Sequence, residues 1–162
     1  MFGWFKKKPD SKLDAAFQKG REIAAQTAEE LDRFIDQGLG PYREYQLKRL
    51  DEIVMDGLGS PDTPPIIHAR HAYTLFLDSV TQYRAEIRTR TETYLKDSLE
   101  IADMMSMRDK FEELITKRLD DFDSDLRMSG LKALTDRADM LKEFDDQWRS
   151  ENPDNAVNFP KD

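Results

Sequence analysis

Apolar side chains recur every seven residues through the middle of the chain, at Ile66, Tyr73, Val80, Ile87, Tyr94 and Ile101. They lie within residues 66–152, a stretch with no proline and a single glycine, Gly130. A seven-residue apolar repeat keeps one stripe on one side of a helix and invites a helical partner along its length, as in a coiled coil. The pattern predicts a long helix from Ile66. Phe76, Leu77, Tyr83, Leu95, Met104 and Met105 flank the stripe, and Arg84, Arg88, Arg90, Thr91 and Asp97 crowd its middle. The narrow part, Ile87 to Tyr94, therefore reads as half-buried or as a surface for a partner.

The same periodicity extends to both sides. Leu13, Phe17, Ala24, Ala28, Leu31 and Ile35 recur at three-, four- and seven-residue steps, which predicts a helix from about Ser11 to Asp36. Gly38, Gly40 and Pro41 then break or kink it, and a shorter helix follows to about Met55 with Tyr45, Leu50, Ile53 and Val54 inward. Gly57 to Pro65, GLGSPDTPP, reads as a loop, because two glycines and three prolines in nine residues do not continue a helix.

Ser106 with Asp109 three residues on resembles a capping box and suggests a helix restart, although MMSMRD holds no glycine or proline and also suits a continuous helix. Phe111, Ile115, Leu119, Phe122 and Leu126 define the next stripe, followed by Leu134, Ala138, Leu141, Phe144 and Trp148. The phase slips by four residues at Ser129–Gly130, either a stutter or a break. Residues 151–162, with Pro153 and Pro160, read as a flexible tail, and residues 1–10 as a separate aromatic and basic peptide.

Residues 11–55, 66–105 and 107–149 are thus three legs of about 60–65 Å each at 1.5 Å per residue. Matching lengths predict an all-α, elongated antiparallel bundle over residues 11–150, with the first leg kinked at 38–41. A full turn at the kink gives four helices instead. A third solution is an open hairpin that completes its core by oligomerising.

Composition agrees with a thin bundle. The charged fraction of 36 % is high and the apolar fraction of 38 % low for a globular domain, so surface outweighs core. The net charge of −8 makes the body a poor phosphate binder and argues against nucleic acid as a partner. With no cysteine, disulfides, thiolate metal sites and cysteine nucleophiles are excluded. No apolar run approaches the roughly 18 residues of a membrane span, and Lys6 to Lys8 interrupt any signal-peptide core. The expectation is a cytoplasmic protein, with the inner face of a membrane as a second place.

Candidate chemistry is sparse. Phe2, Trp4 and Phe5 with Lys6, Lys7 and Lys8 combine interfacial aromatics with cations suited to anionic headgroups. His68 and His71, the only histidines, are three apart near a helix start, but no carboxylate at helical spacing precedes them to complete a metal site. His71 as a phosphate acceptor would need a lysine and glycine soon after it, and Ala72, Tyr73 and Thr74 follow instead. Asp121, Asp123 and Asp125 imitate a calcium loop, but Leu126 and Lys132 stand where glycine and glutamate belong. Met104, Met105 and Met107 fill a core near a junction or form an adaptable surface. No hydrolase constellation and no Glu-x-x-His of a di-iron bundle is present. The sequence therefore predicts no enzyme, cofactor or metal.

The predicted function is a non-enzymatic assembly protein or scaffold working through helix-on-helix contacts, self-association included. Its expected docking seam is Tyr73, Val80, Ile87, Tyr94 and Ile101 with Arg84, Arg88 and Arg90. The alternative is a peripheral membrane scaffold tethered by residues 2–8. A phosphate- or ligand-handling bundle centred on His71 comes third.

Overall fold

The computed structural model describes residues 11–161. Leg one is α1, Ser11–Arg33, a π-helical turn, Phe34–Gly38, and α2, Gly40–Gly57. Leg two is α3, Pro65–Tyr94, and α4, Lys96–Met104. Leg three is α5, Arg108–Asp136, and α6, Ala138–Glu151, followed by the single turn α7, Pro153–Ala156. The first leg bends without turning back. α2 packs on α3 and α5, while α1 continues along α5, giving three antiparallel legs rather than four helices.

Two apolar clusters run in series along the axis. One holds Leu50, Val54, Ala72, Phe76, Phe122 and Leu126 among others. The other holds Leu31, Leu95, Leu99, Ala102, Phe111 and Ile115. Ile35 and Leu119 pack against both. The π turn explains how one helix serves the two. Thr27, Leu31, Ile35 and Leu39 step by four residues, too long for a straight α-helical stripe, and the extra residue in the π turn absorbs the excess. Its mark is the Leu39 N–H reaching back five residues to Phe34 O, at 3.1 Å.

The seven-residue stripe does not follow the core. In leg two the buried line is Ala69, Val80, Thr91 and Ala102, eleven residues apart. On an ideal helix a heptad stripe drifts about 20° per repeat, and an eleven-residue stripe drifts by a similar angle in the opposite sense, so the two lines diverge along the leg. Over three heptads from Val80 to Ile101 that drift carries the stripe out of the core. Thr91 is tolerated on the buried line because its hydroxyl donates to Ile87 O at 2.8 Å. Leg three repeats the spacing with Ile115, Leu126 and, two repeats on, Trp148, all buried.

Legs two and three are joined by a tight turn rather than a continuous helix. Ser106 has φ 54°, Met107 N–H donates to Ala102 O at 2.8 Å and Ser106 N–H to Asp103 O at 3.1 Å. This is a Schellman closure with serine in the left-handed position usually held by glycine. Ser106 therefore closes α4 and does not cap α5, whose N-cap is Met107. Left-handed backbone costs a non-glycine residue about 1 kcal/mol. Ser106→Gly should raise the thermal midpoint by about 2–4 °C in a calorimetric scan.

Gly130 is not a break. α5 runs through it, and the Phe76 ring lies where a side chain would be: a Cβ at position 130 would sit 2.5 Å from Phe76 Cε1. At the far end of the bundle Trp148 Nε1 donates to Ser60 O at 3.0 Å and fastens the proline-rich loop. Asp145, buried on α6, accepts from the Ile66 N–H at 3.2 Å and from Arg149 Nε at 2.6 Å. It thus caps α3 from another helix, where no side chain of the preceding loop does so. Residues 152–161, read from the sequence as a tail, lie against α6: Phe159 meets Trp148 edge-on and its carbonyl accepts from Arg149.

Candidate functional site

The predicted seam is divided by the fold. Val80 is 2 % exposed and belongs to the core. Tyr73 and Ile87 are half-buried against the same cluster, and the Tyr73 hydroxyl donates to Arg127 O at 3.4 Å. Val80 is therefore interior and Tyr73 and Ile87 are half-covered, so the expected docking stripe is not continuously exposed. The physical reason is the mismatch of 3.5 and 3.6 residues per turn described above.

The arginines flanking the stripe have partners within the chain. Arg84 pairs with Asp120 of α5, and Arg90 with Glu86 on its own helix. Arg88 bonds Glu92 Oε1 at 2.6 Å and Thr116 Oγ1 at 2.7 Å, and also pairs with Glu112. Glu112 in turn accepts from Arg108 Nε at 2.7 Å, and Arg108 reaches Asp103. The hydrogen bond that Arg88 donates to Glu92 holds its guanidinium still more firmly in the charged form. The acidic helix that this basic patch could receive is α5 itself.

The end of the stripe stays open. Tyr94 is 48 % exposed and Ile101 36 %, and both line a groove between α1 and α4 with Ile23 and Thr27. Glu30 and Ser98 face each other across it, the Ser98 hydroxyl donating to Glu30 Oε2 at 3.2 Å. Arg33 and Asp97 give the rim both charge signs. The π turn places Phe34 against one end, its ring centroid 4.8 Å from that of Tyr94. α1 packs more closely on α5 than on α4, which it meets through Leu31 and the Ser98–Glu30 hydrogen bond, and this leaves the groove open. Nearby, Met105 and Met107 pack around Gly20, while Met104 points outward.

The other candidates have structural roles. The His68 ring covers Gly57 and its Nε2 lies 3.1 Å from Ile53 O, so it closes the end of α2. His71 is exposed on α3. Asp123 pairs with Arg127 at 2.8 Å and Asp125 with Arg43, both on continuous helix rather than in a calcium loop. Among the described residues no group of three or more His, Asp or Glu side chains converges as a metal site would. Phe2, Trp4, Phe5, Lys6, Lys7 and Lys8 lie outside the described residues. No described helix is long and apolar enough to cross a membrane.

The groove had a partial signal in the sequence, since Tyr94 and Ile101 belong to the heptad stripe. The contribution of Ile23 and Thr27 had none, because it depends on how α1 leans. No protein-family model matches the chain, and no curated protein and no solved structure matches it at a significant level. What stands is the class: an all-α helical bundle with an open interhelical groove at one end.

Proposed function

We propose that this chain is a non-enzymatic interaction and assembly protein that receives a helix in the groove between α1 and α4. The observation that carries the reading is that the stripe leaves the core with Tyr94 48 % and Ile101 36 % exposed along this groove. A helix binds such a groove by inserting apolar side chains three or four residues apart, with the charged rim setting its direction. The first partner to test is a second copy, since the exposed stripe and α1 each present apolar positions at helical spacing.

Ile101→Asp is the direct test. The position is 36 % exposed, so losing its partial burial should lower the unfolding free energy by about 1–2 kcal/mol and leave the bundle folded. Light scattering over a concentration series should show the wild-type chain above its monomer mass of 18.9 kDa and the variant at it. A wild-type chain that stays monomeric throughout, or a variant that associates equally well, would remove self-association through this groove.

A further inference from the structure

The first two turns of α1 extend beyond the bundle. Gly20 is the first buried residue of that helix, and it meets Met105 and Met107 in the turn that closes the end of legs two and three. Every residue from Lys12 to Lys19 is exposed. Eight residues span about 12 Å of helix. Leu13, 56 % exposed, and Phe17, 63 % exposed, continue the face that carries Gly20, Thr27 and Leu31 lower down, so the overhang presents a largely exposed apolar line.

Charge is segregated in the same place. Residues 1–21 hold six basic side chains, Lys6, Lys7, Lys8, Lys12, Lys19 and Arg21, against Asp10 and Asp14, a net +4. The chain total of −8 therefore leaves −12 on residues 22–162. An exposed Leu–Phe line bordered by cations, preceded in sequence by Phe2, Trp4 and Phe5, has the composition of an interfacial anchor. Two apolar side chains fall far short of the roughly 800 Å² per partner that a stable protein interface needs, and two copies of a +4 segment repel. A lipid surface needs less apolar area, because its anionic headgroups add attraction to the cations beside it. The acidic body does not cancel the attraction, because carboxylates beyond the ~8 Å Debye length at physiological salt are screened.

We infer that the overhanging first two turns of α1, with the Leu13–Phe17 line and its flanking Lys12 and Lys19, dock on an anionic lipid surface. The bundle then stands off that surface by its closed end. This inference rests on residues other than the groove, so either can fail alone.

Flotation of the full-length chain tests it, with vesicles of phosphatidylcholine alone and of phosphatidylcholine with a third phosphatidylserine. Binding is expected only to the second, weakening steeply as salt is raised. A full-length Leu13→Asp/Phe17→Asp variant should lose binding by about tenfold or more while its circular dichroism is unchanged, because both positions are solvent-exposed. A Lys12→Glu/Lys19→Glu variant should lose binding to the charged vesicles as well. Failure of the wild-type chain to float with the charged vesicles overturns the proposal. So does equal binding to neutral vesicles, or a Leu13→Asp/Phe17→Asp variant that binds as the wild type does. A variant that changes the mass in light scattering but not flotation overturns it in favour of a second copy as the occupant.

Discussion

Asp145→Ala is expected to lower the unfolding free energy by about 3–5 kcal/mol, the usual cost of removing one partner from a buried ion pair. Two separate losses add up. Arg149, whose side chain is only 14 % exposed, would keep a charge with its main partner gone. The Ile66 N–H, in the first turn of α3, would lose the oxygen that now accepts it. Because Arg149 also holds the Phe159 carbonyl, residues 157–161 should become protease-sensitive in the same variant. Urea titration should show a lower midpoint with an unchanged slope. In the double variant Asp145→Ala/Arg149→Met the uncompensated charge is absent, so part of the loss should return. A single variant within 1 kcal/mol of wild type would show that Asp145 does not hold α3 and α6 together.

Gly130→Ala should also destabilise the bundle, against the trend for glycine in a helix. Alanine gains about 1 kcal/mol of helix propensity over glycine. Here the added methyl would meet the Phe76 ring at 2.5 and 2.8 Å, and Phe76 is itself buried with Tyr73 stacked beside it. Overpacking of this kind costs about 1–3 kcal/mol, and buried Phe76 has little room to give, so steric cost should exceed propensity with a net loss of up to about 2 kcal/mol. Phe76→Leu frees the space, and in that background Gly130→Ala should become neutral or stabilising. A double-mutant cycle by urea denaturation measures the coupling directly. Additive effects would mean that the helices part slightly and the ring contact is not what fixes the glycine.

The all-α class, the three legs and the loop at Gly57 to Pro65 were legible in the sequence because helical periodicity and proline placement are local signals. The buried face of leg two was not. Ala69, Thr91 and Ala102 carry little hydropathy, so the eleven-residue line through Val80 is quieter than the heptad stripe of Ile, Tyr and Val that crosses it. Gly130 looked like a break because a small residue and a contact point look alike until the Phe76 ring is placed. Ser106 resembled a cap by spacing, while its left-handed backbone is set by the need to reverse the chain between Met104 and Arg108. The arginines at 84 and 88 showed an appetite for carboxylates, and only the antiparallel register revealed that Asp120 and Glu112 of the same chain meet it. The open half of the candidate groove, Tyr94 and Ile101, was marked in the sequence, but what uncovers it is the lean of α1, a tertiary property.

The eleven-residue line has a bearing on how such a molecule can change size. Eleven residues make three turns of nearly straight helix and advance it by about 16 Å. On an ideal helix an insertion of eleven residues turns the faces by about 20° one way, and an insertion of seven turns them by about 20° the other way. One of each makes five whole turns, about 18 residues and about 27 Å, and returns every side chain to its original face. The bundle therefore lengthens without rotating its two ends only in that combined step, taken by each leg at the same height.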